Sequence, residues 1–506
     1  VYRMTGNLVL FFLLVLISSC SSSSDTPIEE VALKLAPSTL ILQDNSECQQ
    51  SLSLTAPGNW RARSNADWCR VSPEQGTASA TQITLKIDMN ATKAERTCTI
   101  TVEAIDGKES VTANVVQPGR DAYNYQPTNS NAPQGMQSNA SRIMQNIKIG
   151  WNLGNTLESD GGDWYQGPNV EMETTWGNPM TTEEMIKGVK KAGFNAIRIP
   201  VRWYNHADAD MNVSAEWIAR VKEVVDFGIN NEMYVVLNSH HDNWYDRMVP
   251  GQFNETEVGK KFASLWTQIA TTFKEYDEHL LFAGTNEVIT KENGVENWGT
   301  PTAANQAIQN KLNQVFVDAV RATGGNNAWR VLVVQTYAAN PEYGIAGFVK
   351  PEDKVENRLM LEFHYYQPWN YCSENAEDKR YYWGSAFSSF KPFASSGEGD
   401  VTAMFDRLQT KFVDTGLPVL MGEFGVVCHH EASDLPKADE SRAYYLEYVV
   451  KEAKNHGFAG FFWDNNAWKT EGENFGLFDR NNGMKPYVQS AVDGILRGAE
   501  AGIYPY

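Results

Sequence analysis

Short apolar runs alternate with longer amphipathic stretches along the chain from about residue 137 to its end. Short apolar runs bounded by glycine or polar residues are typical of buried strands, and stretches such as 181–192 and 214–229 carry the period of amphipathic helices. Thr181 and Glu184 form a possible capping box at the start of the first of these helices. The predicted strands lie in eight segments: IKIGWN, NAIRIPVRW, MYVVLNSHHD, LLFAGTNE, RVLVVQT, LMLEFHYY, LPVLMGEFG and GFAGFFWDNN. Eight strand-then-helix units predict an α/β fold, a (β/α)8 barrel over residues 137–506.

A different pattern precedes the barrel, in residues 31–118. Segments such as QITLKIDMN and SVTANVVQ alternate apolar and polar positions, and turn residues interrupt them at short, regular intervals. This pattern is typical of a small all-β sandwich of the immunoglobulin type. Residues 119–136 are rich in Asn, Gln, Pro, Gly and Ser, which predicts a linker between the two domains.

Polar side chains follow nearly every predicted barrel strand at the point where the strand ends. In LLFAGTNEVIT, for example, the apolar run gives way to Asn286 and Glu287 just after Gly284. Reaction chemistry in (β/α)8 barrels takes place at the carboxyl ends of the strands, where the loops converge, so we expect these side chains to share one site. The candidates at the strand ends are Trp151, Asn152, Arg198, His240, His241, Asn286, Glu287, Gln335, His364, Tyr366, Glu423, Trp463 and Asp464.

Two of these candidates are carboxylic acids on opposing strands. Glu287 follows the fourth strand and Glu423 follows the seventh. Paired carboxylates across a cleft are the groups that hydrolyse glycosidic bonds, with one donating a proton and the other attacking or activating water. Because the pKa values of the two groups must differ, we expect Arg198 to lower the pKa of Glu423 and Glu287 to keep its proton. A retaining reaction would place the carboxyls about 5 to 5.5 Å apart.

Composition narrows the class of partner. The 506 residues carry a formal net charge of −19 at pH 7 and have no basic cluster, so the chain lacks the footprint of a nucleic-acid-binding protein. Aromatic residues make up 11% of the chain, and many lie in polar loops after the strands. Because aromatic rings stack on the apolar faces of sugars, a row of them predicts several sugar subsites and an internal cut in a polymer. The loop aromatics are Trp164, Trp176, Trp298, Trp369, Tyr371, Trp383 and Trp468, about half of which are expected to contact sugar.

The first 20 residues have the form of an export signal. Arg3 precedes an apolar run from Leu8 to Ile17 that is too short to span a bilayer comfortably. The next residues complete LISSC, which resembles the lipobox of bacterial lipoproteins, in which the cysteine, here Cys20, becomes the acylated N-terminus. We therefore expect export and a lipid anchor in the outer membrane; the alternative is an ordinary signal peptide with an incidental cysteine. The other five cysteines have no metal-ligand spacing, so we expect neither a disulfide framework nor a zinc site.

The motifs GWNLGNTLE, NAIRIPVRW, NSHHDNW, TNEV, FHYYQPW, GEFG and FFWDNN together resemble glycoside hydrolase family 5, and GWNLGNTLE and FAGTNEV look most like its subfamily 4 of endo-β-1,4-glucanases and xyloglucanases. The resemblance implies that Glu287 is the acid/base and Glu423 the nucleophile. It also implies that Asn286 binds the sugar 2-hydroxyl and that Tyr366 touches the nucleophile. Arg198, His240, His364 and Trp463, the last as the floor beneath the cleaved sugar, complete the implied site; Asn152, His241 and Trp369 join the substrate-binding candidates by position. Val288 stands where the family usually has proline, which alters the backbone after the acid and not the acid itself.

The sandwich resembles the BACON module, an immunoglobulin-like domain frequent in surface glycan-degrading proteins. The resemblance rests on Trp60, ADWCRVSPEQG, Arg96 and the closing VVQPG, and it covers the whole segment. Trp60 and Trp68 have the spacing of turn or core residues and not of an exposed platform. We therefore expect a spacer between membrane and barrel; the alternative is a glycan-binding domain.

Taken together, the sequence predicts a cell-surface, lipid-anchored, endo-acting retaining β-1,4-glucanase, expected to be a monomer that needs no cofactor or metal. The expected substrates are plant cell-wall β-glucans: xyloglucan, mixed-linkage glucan or cellulose derivatives. A β-1,4-mannanase and a catalytically silent glycan-binding lipoprotein are the alternatives; the presence of both Glu287 and Glu423 argues against the second. For single residues, His240 with His241 could ligate a metal, His364 could be a core histidine, and Trp463 could be plain packing.

Overall fold

The computed structural model describes residues 32–506 except 91, 163–166, 168, 243–246, 249–254, 293–294 and 470–471. The predicted export signal, Cys20 and Trp164 therefore lie outside the described residues. The chain divides into two compact units, a sandwich that ends at Gly119 and a barrel that runs from Arg120 to Tyr506. Within the part of the chain that is described, no helix combines the length and apolar character needed to cross a bilayer.

The first unit is a sandwich of two sheets, with strand orders β1-β3-β7-β5 and β2-β9-β8-β4-β6. Its strands are β1 Lys34–Ala36, β2 Thr39–Ile41, β3 Cys48–Ala56, β4 Trp60–Ser64, β5 Cys69–Ser72, β6 Gln75–Gly76, β7 Ser79–Ile87, β8 Arg96–Ala104 and β9 Ser110–Gln117. Trp60 is buried, and its indole N–H donates to the carbonyl of Thr77 at 3.2 Å. The guanidinium of Arg96 covers the Trp68 ring at 4.2 Å. Trp60 therefore belongs to the core of the sandwich, and Trp68 is half-buried against that core.

The second unit contains a closed barrel of eight parallel strands. The barrel strands, in order around the ring, are β10 Gly150–Leu153, β11 Ala196–Ile199, β12 Tyr234–Asn238, β14 Leu280–Ala283, β17 Leu332–Gln335, β18 Leu359–Tyr365, β19 Val419–Phe424 and β20 Phe458–Asp464. Seven fall within their predicted segments and β10 extends one residue beyond its own, to Leu153, so the predicted (β/α)8 fold is confirmed. Short strands outside the ring are β13 Arg247–Met248, β15 Ile289–Glu292, β16 Val295–Asn297, β21 Phe478–Asp479 and β22 Lys485–Pro486.

Helices surround the barrel and close its lower end. They are α1 Ala140–Asn146, α2 Glu183–Lys191, α3 Ala215–Asn230, α4 Lys260–Thr272, α5 Ala303–Ala322, α6 Pro341–Gly347, α7 Trp369–Cys372, α8 Glu398–Lys411, α9 Leu435–Asn455 and α10 Gln489–Ala501. Ile143 and Met144 of α1 join the inward-facing strand residues in one buried cluster, so α1 plugs the amino end of the barrel. The opposite, carboxyl end stays free for the loops that form the site.

The helix cap predicted at Thr181 is wrong by one residue. Helix α2 begins after Thr182, whose hydroxyl accepts a hydrogen bond from the Met185 N–H. Thr181 is buried instead, and its N–H donates to the carboxylate of Glu173 at 2.7 Å. Since position N3 is Met185, the reciprocal contact of a capping box cannot form.

Residues 120–136, predicted as part of a linker, belong to the barrel unit. Tyr125 and Met136 are buried, and the hydroxyl of Tyr125 donates to the carbonyl of Val413 at 2.6 Å. The segment is mostly polar, so its composition indicates a linker, although Tyr125 and Met136 anchor it to the barrel unit.

Candidate active site

A cleft of about 970 Å³ opens at the carboxyl end of the barrel. Glu287, just after β14, and Glu423, in β19, face each other in it, and their nearest carboxylate oxygens lie within 4.8 Å. Eight of the predicted site residues line this cleft: His240, His241, Glu287, His364, Tyr366, Trp369, Glu423 and Trp463. Such a separation suits two carboxyl groups that act on one glycosidic bond with retention.

Glu423 accepts two hydrogen bonds and faces a third, charged group at the base of the cleft. Arg198 Nη1 lies 2.9 Å from one carboxylate oxygen, and the hydroxyl of Tyr366 donates to the other at 3.0 Å. His364 Nδ1 lies 3.5 Å from that second oxygen. Burial raises the pKa of Glu423, and the charges of His364 and Arg198 oppose this without cancelling it. Arg198 thus acts in the predicted direction, but the predicted net lowering of the pKa is wrong because desolvation is the larger effect.

Glu287 is the more accessible carboxylate of the pair, with 22% of its side chain exposed against 7% for Glu423. Its Oε1 lies 2.7 Å from Nδ1 of His364. Glu287 has a φ of 37°, a left-handed conformation that is uncommon for a residue with a side chain. Strained backbone of this kind clusters at functional sites, where the surrounding structure holds it.

Buried amides hold Arg198 behind the two carboxylates. Arg198 is fully buried; it donates through Nη1 to Asn152 Oδ1 at 2.9 Å and through Nη2 to Asn286 Oδ1 at 2.6 Å. Asn152 is also fully buried, and its amide donates to the carbonyl of Gly422 at 2.9 Å. Arg198, Asn152 and Asn286 are all buried and do not line the cleft, so Arg198 and Asn152 support Glu423 and its strand from behind.

His364 lies between two carboxylates. Its Nδ1 faces Glu287, and its Nε2 lies 3.2 Å from Oε1 of Glu362. Burial alone would lower the pKa of His364, but the charge of Glu423 and hydrogen bonds to Glu287 and Glu362 raise it to about 9. His364 is therefore an imidazolium at neutral pH. It belongs to the site and is not a core histidine bonded to backbone.

His240 lies on the other side of the cleft beside Trp463. The two rings stack at 5.8 Å with an interplanar angle of 8°. Burial lowers the pKa of His240 well below its ordinary value, and the nearby charges of His241 and Arg198 act in the same direction. Trp463 is 8% exposed and lines the cleft, a position that suits the predicted floor of a sugar subsite.

The group of described residues with metal-ligand spacing consists of Glu287, His364 and Glu423. It does not include His240 or His241. Both carboxylates of this group already face the protonated ring of His364 at 2.7 and 3.5 Å. A cation would have to displace that positive charge, so the donor set fits a metal poorly.

The loop aromatics separate into two sets. Trp298 and Trp369 line the cleft and are each 46% exposed, so sugar can reach both rings. Tyr371 and Trp383 are fully buried and pack against Tyr445 of α9, so their predicted place on the cleft face is wrong. The remaining two described aromatics also lie away from the lining: Trp468 stacks on Tyr487 at 4.9 Å, and Trp176 packs near His241 and Arg202.

Two strand-end candidates serve the scaffold. Asp464 is fully buried and accepts from the indole N–H of Trp151 at 2.8 Å. Gln335 is fully buried and accepts from the hydroxyl of Thr285 at 3.4 Å. Both side chains hold neighbouring strands or loops together beneath the cleft.

Sequence reasoning missed two further carboxylates at the site. Glu362 lies two residues before His364 on the same strand, and this spacing, which puts both side chains on one face, was the available signal. Glu473 lines the cleft from the loop after β20, where it accepts from Asn375 at 2.9 Å. Burial raises the pKa of Glu473, and the charges of Glu287 and Glu423 add to this. No pattern distinguishes Glu473 from the other acids of that loop.

Comparison with known proteins follows the same two-unit division. The family model described as cellulase (glycosyl hydrolase family 5) matches residues 160–469, and the viral BACON domain model matches residues 32–118. A xyloglucan-specific endo-β-1,4-glucanase of Bacteroides ovatus is 34% identical over 505 residues, which cover 97% of this chain and 96% of the relative.

Solved structures agree with this result. A Bacteroides ovatus GH5 xyloglucanase in complex with a XXXG heptasaccharide superposes with a TM-score of 0.66 at 31% identity, covering 93% of this chain and 100% of that one. A GH5 xyloglucan-specific β-1,4-glucanase from a ruminal metagenomic library, in complex with XXLG, gives a TM-score of 0.67 at 36% identity, covering 73% of this chain and 98% of that one.

Proposed function

The chain belongs to glycoside hydrolase family 5, with an N-terminal BACON domain, and we propose that it is an endo-acting β-1,4-glucanase that cleaves xyloglucan with retention of configuration. The observation that carries the mechanism is the pair Glu287 and Glu423, whose nearest oxygens lie within 4.8 Å at the base of an open cleft. This spacing lets one carboxylate attack the sugar carbon while the other reaches the leaving oxygen.

The first step forms a covalent intermediate. Glu423 attacks the anomeric carbon with one oxygen while Glu287 gives its proton to the glycosidic oxygen, so the C–O bond to the leaving chain breaks as the bond to Glu423 forms. Arg198 and Tyr366 hold Glu423 in place by hydrogen bonds at 2.9 and 3.0 Å. The nucleophile is therefore oriented before substrate arrives.

The second step releases the sugar. Glu287, now deprotonated, takes a proton from water as the water oxygen attacks the anomeric carbon, and Glu423 leaves as a carboxylate. Two inversions at the same carbon give net retention. His364, protonated and 2.7 Å from Glu287, stabilises the negative charge that Glu287 carries between the two steps.

The substrate proposal rests on the cleft and on the relatives. Trp298 and Trp369 expose ring faces along the cleft, as a polymer-binding site requires, and the relatives reported above are named for xyloglucan. The test is reducing-sugar release from xyloglucan, barley mixed-linkage glucan, carboxymethyl-cellulose, mannan and xylan. Fastest release from mannan, or release of monosaccharide alone, would contradict the proposal.

Azide rescue tests the roles of the two carboxylates. In Glu287→Ala the intermediate still forms from a substrate with a good leaving group, so azide should attack it and give a β-glycosyl azide. In Glu423→Ala azide should attack the substrate directly and give the α-glycosyl azide. Each variant should lose several orders of magnitude on polymer. An exchange of the two azide products would reverse the assignment, and an α-configured wild-type product would refute retention.

We also propose that the enzyme is a monomer held at the outer membrane by a lipid on Cys20, with the sandwich as a spacer. The support for the anchor is the LISSC sequence after an apolar run. The support for the spacer is that Trp60 is buried in the sandwich core and Trp68 is half-buried against it beneath Arg96. Cys20→Ala should move the protein from the membrane fraction to the soluble fraction. Unchanged partition would contradict the anchor, and β-glucan binding by residues 31–118 would contradict the spacer.

A further inference from the structure

Glu362 is a buried carboxylate directly beneath the catalytic pair. It lies in the middle of β18 and is fully buried. Its Oε1 lies 2.8 Å from Arg198 Nη2 and 3.2 Å from His364 Nε2. Both side chains also contact a catalytic carboxylate: Arg198 binds Glu423, and His364 binds Glu287. One oxygen of Glu362 is thus the common anchor of both contacts.

Burying the Glu362 carboxylate costs free energy of folding, so Glu362 does more than fill space in the barrel. Its Oε2 is buried and has no hydrogen-bond partner among the described residues. A Cβ on residue 422 would lie 2.1 Å from Glu362 Oε1, so Gly422, next to the nucleophile in sequence, leaves the space that the carboxylate occupies. A buried carboxylate with one unpartnered oxygen destabilises a fold, and sites that keep such groups are usually functional.

The charge balance shows what Glu362 contributes. Arg198 and His364 carry two positive charges, and Glu362 with ionised Glu423 carries two negative charges. The cluster is neutral when Glu287 holds its proton, which is the state that the first step of the proposed reaction needs. Without the charge of Glu362 the cluster would carry a net positive charge, and every proton in it would leave more readily.

We propose that Glu362 is a positioning residue whose negative charge, acting through Arg198 and His364, sets the pH range in which the catalytic pair is correctly protonated. The proposal rests on the function assigned to Glu287 and Glu423 above. The titratable groups that face Glu362 and His364 from the packed elements are Arg198 of β11, His240 after β12, Glu287 after β14, Tyr366 after β18 and Glu423 of β19.

Glu362→Gln tests the proposal, because it removes the charge and keeps an acceptor oxygen and the shape. Both limbs of the kcat/KM profile should shift to lower pH by about one unit or more. Ionisation of Glu423 becomes easier, which moves the acid limb, and loss of the proton shared by Glu287 and His364 becomes easier, which moves the basic limb. At pH values well above the wild-type basic limb, kcat/KM should therefore be about tenfold lower than that of the wild-type enzyme.

Two other variants separate charge from packing. Glu362→Asp keeps the charge but shortens the reach, so kcat should fall while both limbs stay near their wild-type positions. Glu158→Gln is the control, because it makes the same chemical change at another fully buried carboxylate of the barrel, which accepts a hydrogen bond from the Thr156 N–H at 2.8 Å. It should leave both limbs of the kcat/KM profile at their wild-type pH. A Glu362→Gln enzyme with lower kcat and unmoved limbs, or limbs moved to higher pH, would overturn the proposal.

A measurement on wild-type enzyme keeps the proposal testable if Glu362→Gln does not fold. Nitrogen-15 NMR of histidine-labelled protein, with His364 assigned from a His364→Gln difference spectrum, should show both ring nitrogens still protonated at pH 8. Loss of that proton near pH 6.5 would overturn the proposal. This titration does not depend on which carboxylate is the nucleophile, so an exchanged azide result would refute the proposed function without deciding the role of Glu362.

Discussion

His240 and His364 are buried histidines on two sides of the same cleft, but their neighbours have opposite character. The two ring nitrogens of His364 face carboxylates, Glu287 at 2.7 Å and Glu362 at 3.2 Å. Those of His240 face the amide nitrogens of Asn238 at 3.2 Å and Asn286 at 3.3 Å.

Arg198 and the backbone fix these amide orientations. The Oδ1 of Asn286 accepts from Arg198, which can only donate, and the Oδ1 of Asn238 accepts from the Val201 N–H at 3.2 Å. Each amide therefore turns its NH2 group toward His240. Burial lowers the pKa of both histidines, but the carboxylates around His364 outweigh it, whereas the amide NH2 groups that face His240 do not. The partners therefore decide the difference in charge between the two histidines.

The largest expected effect comes from the same substitution at both positions. His364→Gln removes a positive charge beside Glu287 and should lower kcat about 100-fold or more. His240→Gln replaces a neutral ring by a neutral amide and should lower kcat at least ten times less than that. Steady-state kinetics on a xyloglucan oligosaccharide at the wild-type optimum measures both. Equal losses of kcat in the two variants would contradict the assignment of a charged His364 and a neutral His240.

A smaller effect tests the link between the two sides. Asn286 joins Arg198 to His240 and is predicted to bind the sugar 2-hydroxyl. Asn286→Ala should lower kcat/KM by about tenfold to a hundredfold, as the loss of a hydrogen bond to a charged or developing centre does. With a 2-deoxy substrate the loss should shrink, because the contact is already missing. An equal loss on both substrates would assign Asn286 to supporting Arg198 alone.

The smallest expected effect is on stability, and its sign differs for the two histidines. The folded pKa of His364 is raised to about 9, so its contribution is fully present below pH 6.5 and is lost as the pH rises through about 9. The folded pKa of His240 is lowered, so wild-type protein loses stability as the pH falls below 6.5, by at most about 1.4 kcal/mol per pH unit from this group.

Urea unfolding of both glutamine variants at pH 5, 7 and 9 measures this difference. His364→Gln should be most destabilised relative to wild type at pH 5 and least at pH 9. The free energy of unfolding of His240→Gln, relative to that of wild type, should rise as the pH is lowered from 7 to 5. Parallel curves for the two variants would show that the partners do not set the charges.

The fold could be predicted from sequence because each barrel strand is buried on both faces and appears as a short apolar run. The site could be predicted because strand ends converge in this fold, which placed Glu287 and Glu423 in one cleft before any distance was known. Glu362 was missed because it interrupts the apolar run of β18 in mid-strand, and its partners come from β11 and from its own strand. The spacing from His364 is a local signal, but the pairing with Arg198 is long-range and leaves none.

Loop side chains were the other failure, and the reason is physical. Trp369 and Tyr371 are two residues apart in α7, yet one is 46% exposed and the other fully buried against α9. Which ring faces the sugar depends on how the loop folds over its own small core, and composition cannot resolve this. The net pKa of Glu423 was mispredicted for a related reason, since the depth of burial is a property of the folded barrel.

Because Gly422 has no side chain, positions 362 and 422, which are far apart in sequence, depend on each other in any mutational library. Gly422→Ala should reduce activity although residue 422 has no side chain that could meet the sugar, because the new methyl group takes the space of the Glu362 carboxylate. A second substitution that shortens residue 362 would relieve the crowding and recover folding without recovering the pH range. Positions 362 and 422 should therefore show strong epistasis, with the permitted residue at each depending on the volume at the other.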